Sequence, residues 1–488
     1  MATTARAVGA GVLVVVLAAG AYTTADAYDV VPGVLTLAPV PDPPAPFPTA
    51  PGAVEPTAPA PALAELDPQA PIPAADPVQA LVDDLVADRR MSTVAGGTLL
   101  DGTPAPAGTR PPVGVVVVDD LTGETLAEHL PDEGRTPAST AKLATAVAAL
   151  DRLGPDVTLP TRVVRGPDDQ VVLVGGGDMM LAADAGDPDA VVGHAGLGDL
   201  ATQTAAALVR EGVGSVRVVV DDSLFSGPLL SPTWAQSDVN AGFVAPVTAL
   251  AVDIAKIRPG EYPPRQTDPS LSAARVFAER LAAAGVTVQG SPTRGTAPEG
   301  ATPLAEVRSA PLGEIVHYML DTSDNTIAEV VSRLVALEQG LPASFQGGTQ
   351  AVLHVVSTLG VDTAGARLSD ASGLGAGSAL SPRTVAGLVR LTTGPQHPVL
   401  RAVATGMPIG GLTGTLADRY GSSAARGLVR AKTGSLPHVT GLAGTVVDAD
   451  GRRLVFAVLA DGTPDGGQPA PRAAIDAFVT ALAGCGCR

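Results

Sequence analysis

Only three of the 31 basic side chains in this 488-residue chain are lysines: Lys142, Lys256 and Lys432. Wherever a generic positive charge suffices, the sequence uses arginine. A retained lysine therefore marks a position that needs a compact ammonium or an amine able to lose its proton, and a guanidinium can be neither. Lys142 stands three residues after Ser139 in Pro137-Ala138-Ser139-Thr140-Ala141-Lys142. Positions i and i+3 share one face of a helix, so the amine can approach the hydroxyl. A serine hydroxyl is a poor nucleophile until a neighbouring base takes its proton. A lysine amine becomes such a base when burial or nearby positive charge lowers its pKa. Taken alone, Ser-x-x-Lys describes a solvated surface helix just as well.

Two further elements extend this chemistry. Lys432-Thr433-Gly434-Ser435 follows Val429-Arg430-Ala431 on an expected strand. A glycine there lets a substrate backbone approach the strand edge, and a cation beside it can hold a substrate carboxylate and bias the first lysine. Ser323-Asp324-Asn325 fills a turn between two helices and offers a hydroxyl and an amide, although Ser and Asp also cap helices routinely. Lys256 finds no comparable context. The six histidines, His129, His194, His317, His354, His397 and His438, lack the paired spacing of a metal site. Gly175-Gly176-Gly177 lacks the Gly-x-Gly-x-x-Gly pattern and is followed by Asp178, which would repel a phosphate. Neither a metal nor a cofactor is expected.

These residues need a scaffold. A helix with Leu81, Val82 and Leu85 on one face opens the folded part near Val78. A Val-rich strand, Val113 to Val118, turns through Asp120-Leu121-Thr122-Gly123 into a second strand. A helix from about Ser139 to Arg152 carries Leu143, Val147 and Leu150 as its buried stripe. Between about residues 158 and 302, short strands such as Gln170 to Val174 and Val216 to Val220 alternate with turns and one helix, about Leu271 to Ala284. The last strands, Thr440 to Val447 and Arg453 to Leu459, are joined by Asp448-Ala449-Asp450-Gly451, and a helix from about Pro471 to Ala483 closes the chain. Strands early and late with helices between them predict an α+β body built on an antiparallel sheet, carrying an inserted, mainly β module.

Composition sets the outer bounds. A net charge of −18 with no basic block excludes nucleic acid as a partner. Aromatics supply 3% of residues, so Val, Leu and Ala must fill the core. Arg6, the uncharged run Ala7 to Tyr22 and Ala25-Asp26-Ala27 read as a signal peptide or anchor over residues 1–27. Both readings place the body outside the cytoplasm, secreted or held at the cell envelope by a membrane tether at the N-terminus. Prolines recur every few residues through 28–77, as in Pro43-Pro44-Ala45-Pro46, and make that stretch a linker. Cys485 and Cys487 fit neither a zinc spacing nor a disulfide framework, and leave open a strained bridge, free thiols or an intermolecular pair.

Ser-x-x-Lys, Ser-x-Asn and Lys-Thr-Gly, once each and in this order, resemble the signature of the penicillin-recognising serine enzymes. More of the chain is similar to one branch, the class C penicillin-binding proteins, which are D-alanyl-D-alanine carboxypeptidase/endopeptidases. The similar stretches include Leu173 to Asp178, Asp221 to Phe225, Ala245 to Leu250, Asp370-Ala371-Ser372-Gly373-Leu374 and Met407 through Leu416, and the gap from Ser139 to Ser323 leaves room for that branch's insert. The resemblance implies a penicillin-binding transpeptidase-like domain, an antiparallel sheet with helices on both sides, made of residues 78–157 and 303–488 around inserted domains at 158–302. It implies Ser139 as the acylated nucleophile, Lys142 as its base and Ser323 as the proton relay to the leaving amine. Asn325 would bind the substrate amide, Lys432, Thr433 and Gly434 the region of the terminal carboxylate, and the N–H groups of Ser139 and Ser435 would form the oxyanion hole. The implied partners are peptidoglycan stem peptides, with β-lactams as covalent inhibitors. Met179 and Ala371 depart from that family's usual Pro and Gly, outside the three motifs. β-Lactamase or esterase chemistry on the same site, and an inactive wall-binding scaffold, are the alternatives.

Overall fold

β1 (Val113–Asp119) is buried along its whole length, yet its valines serve two different cores. Val113, Val115 and Val117 face one side, where α1 (Ala75–Ala87) and a C-terminal helix cover the sheet. Val116 and Val118 face the other, toward the central helices. The period-2 alternation of a strand thus yields a sheet with helices on both faces, which is why the run reads as continuously apolar. A computed structural model describes residues 20–25, 67–91, 113–463 and 469–486. Residues 20–25, in a separate unit formed by residues 1–65, are helical. The rest of the leader and most of the Pro-rich stretch lie outside the described residues. Among the described residues no helix is long and apolar enough to cross a membrane.

After β2 (Thr125–His129) a 3-10 turn, Ala138–Ala141, leads into α2 (Lys142–Arg152). Every residue of α2 from Lys142 to Leu150 is buried. Its alanines at 144, 146, 148 and 149 let α5 (Leu312–Thr322), α6 (Asn325–Glu338), α7 (Phe345–Thr358) and α8 (Pro382–Thr393) close around it. β11 (Val429–Leu436), β12 (Val439–Val447) and β13 (Arg453–Asp461) complete an antiparallel sheet of order β11-β12-β13-β1-β2. α9 (Pro469–Ala483) packs on its outer face with α1. Arg452 ties the β12–β13 turn to the buried end of β1 through Asp119, at 2.5 and 2.7 Å, and donates to the carbonyls of Pro68 and Ala70. The linker was expected to run to residue 77, but these bonds already hold the chain at residue 68. Cys485, just beyond α9, is disulfide-bonded, which removes the free-thiol alternative.

The segment between α2 and α5 carries its own sheet. β3 (Pro160–Arg165), β4 (Gln170–Val174), β6 (Ser215–Asp221), β8 (Thr287–Val288), β9 (Thr293–Arg294) and β10 (Pro303–Arg308) pair in the order β10-β3-β4-β6-β8, with β9 on β6. The β4–β6, β6–β8 and β6–β9 pairings are parallel. Parallel neighbours need crossovers, and two helices provide cover: α3 (Leu197–Arg210) and α4 (Pro269–Ala283). Only α4 was expected from the sequence. α3 buries Leu197, Leu200, Ala201, Thr204 and Leu208 on one face, a helical period that the sequence carries but that was not picked out. β5 (Asp178–Leu181) and β7 (Leu250–Val252) form a small parallel pair that joins this segment to the helices.

Candidate active site

Ser139 lies in the 3-10 turn one residue after Ala138, which adopts φ 45°. A left-handed alanine costs about 1–3 kcal/mol and is held only where its surroundings overdetermine it. Here they do so from two sides. Gly373, at φ 76°, has no Cβ to collide with the Ala138 carbonyl, and Gly434 on β11 has none to reach Pro137 O, which would lie 2.7 Å away. The glycine of the Lys-Thr-Gly motif is therefore required first by its packing against the Ser139 turn, a reason different from the open strand edge expected. The 3-10 turn also brings residues 139 and 142 almost into eclipse, a closer approach than an α-helix alone.

Lys142 Nζ donates to Ser139 Oγ at 2.9 Å, to Asn325 Oδ1 at 2.6 Å and to the carbonyl of Ser372 at 2.9 Å. Its side chain is fully buried. Burial draws its pKa down to about 8, while the Asp324, Asp370 and Glu329 carboxylates keep it from falling further. Ser323 caps α5 in the left-handed region at φ 60°, so the chain reverses and α6 starts two residues later. Asp324 accepts from Ile327 N at 2.9 Å and is the N-cap of α6. Capping therefore explains the middle residue of the motif, whereas the residues on either side of it reach the two lysines. Asn325 Nδ2 in turn donates to Phe243 O of the inserted segment at 2.9 Å.

Lys432 also sits fully buried, with Nζ donating to Ser323 Oγ at 2.9 Å and to Thr433 O at 3.2 Å. Burial and the charge of Lys142 push its pKa well below the ordinary lysine range, against a smaller pull from Asp321. Its amine was expected beside the substrate carboxylate; it is turned inward onto Ser323 instead. Thr433, Gly434 and Ser435 reach the cleft, where Thr433 Oγ1 lies 3.0 Å from Thr415 Oγ1. The cleft is about 990 Å³, with Ser139, Ser323 and Asn325 among its lining residues. Its far wall comes from the insert, including Phe243, Lys256 and Tyr262. Phe243 and Tyr262 meet edge-to-face with centroids 5.0 Å apart. Lys256, unplaced by sequence, faces Asp253 at 3.4 Å on this wall.

The sequence reading missed the carboxylates behind Lys142. Glu329 of α6 accepts from the N–H groups of Ala371 at 3.1 Å and Ser372 at 2.9 Å, and so fixes the carbonyl that holds Lys142. Burial and the charge of Asp370 push its pKa up to about 8. Asp370 accepts from Gly373 N and Gly375 N at 2.6 Å and from Trp234 Nε1 at 2.8 Å. A lone acidic residue inside the apolar stretch Ala328-Glu329-Val330-Val331 was the available signal. Among the described residues no group of three or more His, Cys, Asp or Glu is placed to hold a metal.

This architecture matches penicillin binding protein 4 of Haemophilus influenzae, with a TM-score of 0.62 and 24% identity over 76% of this chain and 95% of that one. The same protein complexed with a β-lactam aligns at a TM-score of 0.57. The fold is that of the penicillin-binding proteins. The D-Ala-D-Ala carboxypeptidase 3 (S13) family model matches residues 99–267 and 254–482, and the chain belongs to that family. A carboxypeptidase of Mycobacterium tuberculosis is 40% identical over 380 residues, 76% of this chain and 80% of the relative. The D-alanyl-D-alanine carboxypeptidase of Actinomadura sp. is 30% identical over 455 residues, 76% of this chain and 81% of that one.

Proposed function

We propose that this enzyme, a serine-type D-alanyl-D-alanine carboxypeptidase by family, acts as a carboxypeptidase/endopeptidase on peptidoglycan stem peptides through an acyl-enzyme on Ser139. The observation that carries the assignment is the 2.9 Å bond between the Ser139 hydroxyl and the amine of Lys142, a buried lysine whose pKa lies at about 8. Such an amine is neutral in a useful fraction near neutral pH and can accept a proton.

Ser139 Oγ attacks the carbonyl carbon of the penultimate D-Ala while its proton passes to Lys142 Nζ. The oxyanion is met by the N–H groups of Ser139 and Ser435. Collapse breaks the peptide bond, and the departing D-Ala nitrogen takes the hydroxyl proton of Ser323, which Lys432 orients at 2.9 Å; the proton held by Lys142 restores Ser323 and leaves the amine neutral again. Water then cleaves the ester. Asn325 positions the substrate amide, and Thr433, Gly434 and Ser435 border the carboxylate end. With a β-lactam the same attack opens the ring, but the leaving amine stays tethered and hydrolysis stalls.

Residues 158–302 act as an insert that walls the cleft of a body made from 78–157 and 303–488. A substrate in the cell wall places the enzyme outside the cytoplasm, consistent with a leader or tether in residues 1–27 and a spacer beyond it. A fluorescent penicillin should label the purified chain covalently, and Ser139→Ala should remove the label. A wild-type protein left unlabelled at high drug concentration would overturn the reading.

A further inference from the structure

We propose that Arg472, from the first turn of the C-terminal helix α9, binds the terminal carboxylate of the substrate; the inference rests on the peptidase reading above. A substrate ending in free D-Ala carries a negative charge into the cleft, and a desolvated carboxylate needs a charged hydrogen-bond partner. Neither motif lysine supplies one. Lys142 and Lys432 are both fully buried, and the amine of Lys432 is bonded to Ser323 and Thr433, with its pKa pushed well below the ordinary lysine range.

The cations that line the cleft are Lys256, Arg265, Arg419 and Arg472. Three of them are committed. Arg265 donates to the carbonyls of Gly242 at 3.1 Å and Ile254 at 2.8 Å. Arg419 makes a fork with Asp476, at 3.0 and 3.1 Å from Nε, and Lys256 faces Asp253. Arg472 alone of the four has neither a carboxylate nor a backbone carbonyl as a partner among the described residues. Its Nη2 donates to Ser435 Oγ at 3.4 Å, a long bond that leaves most of the fork available.

The position is also chemically apt. Thr433 and Ser435 are two residues apart on β11, so their side chains point to the same side, and Thr415 joins them through Thr433. Three hydroxyls and one guanidinium therefore border one end of the cleft that holds Ser139. A planar guanidinium fits a carboxylate through two parallel N–H bonds, a geometry an inward-facing ammonium cannot offer. The arrangement makes Arg472 a specificity-determining residue for peptides with a free terminal carboxylate.

The test compares an N-acylated peptide ending in D-Ala-D-Ala with its C-terminal amide, using the full chain. Wild type should prefer the acid in kcat/KM, and Arg472→Gln should lose about 10- to 100-fold on the acid with little change on the amide, the range expected for a charged hydrogen bond. Arg472→Lys should recover part of the preference. An unchanged acid-to-amide ratio in Arg472→Gln, with wild type active, overturns this inference alone. A wild type that cleaves neither peptide removes the peptidase reading, and the inference falls with it.

Discussion

The two buried lysines of this site differ chiefly in what surrounds them. Lys142, in the helical layer, has the Asp324, Asp370 and Glu329 carboxylates nearby and titrates at about 8. Lys432, on the strand edge, has only the pull of Asp321 against burial and the repulsion of Lys142, and it is driven well below the ordinary lysine range. Burial alone would discharge both amines. The carboxylates behind α2 therefore keep Lys142 titrating near neutral pH, whereas Lys432, without them, serves to orient Ser323. The same residue type, equally buried, thus takes two roles because one region supplies counter-charge and the other does not.

The largest effect should come from removing the titratable amine. Lys142→Arg keeps the charge but cannot lose its proton, and kcat/KM for acylation should fall by about 10²- to 10⁴-fold, measured by stopped-flow with a reporter penicillin. In the wild type the base must be neutral, so the rate should rise with pH and level off above about 8. A rate that fell with rising pH through this range would break the assignment of Lys142 as base.

Lys432→Met tests the other half. Loss of its bond to Ser323 should slow acylation by roughly 100-fold, within the range for groups that assist proton transfer. Lys432 is not among the groups that set the Lys142 pKa, so the midpoint of the pH limb should stay in place; a rise would show that Lys432 repels the Lys142 ammonium.

Glu329→Gln sharpens the comparison from behind the site. With its Oε1 accepting from both N–H groups, the glutamine would still set its amide N–H against Ala371 N–H, and the rate should fall about tenfold, as for a lost charged hydrogen bond. Glu329 and Lys142 titrate in the same range, so losing the share of negative charge that Glu329 carries there makes the Lys142 ammonium less favourable and the midpoint should move slightly to lower pH; a move to higher pH would contradict the electrostatic account. The smallest effect belongs to packing. Gly434→Ala places a Cβ 2.7 Å from Pro137 O, and the strain should cost about 1–3 kcal/mol in a denaturation curve, with a matching loss of order at Ser139.

Much of this was legible along the chain. Lysine scarcity singled out Lys142 and Lys432, motif order tied them to Ser139 and Ser323-Asp324-Asn325, and Val-rich runs located the body sheet. The helical period of α3 was there to be read, with Leu197, Leu200, Ala201, Thr204 and Leu208 on one face, but local pattern could not reveal the hold of Arg452 on residues 68 and 70 at the end of the supposed linker. Glu329 read as one acidic residue on a helix because its partners, Ala371 and Ser372, lie 42 and 43 positions away.

The sequence by itself determined which side chains could do chemistry, because a nucleophile, an ammonium and an amide are properties of residue type. Only the tertiary structure decided which way each one faces. Lys142 meets Asn325 across 183 residues, and Lys432 meets Ser323 across 109. Contacts at that separation depend on how a strand, a 3-10 turn and a left-handed serine pack together. That packing turned Lys432 inward, placed Lys256 on the insert's wall and brought Arg472 to Ser435 at the cleft.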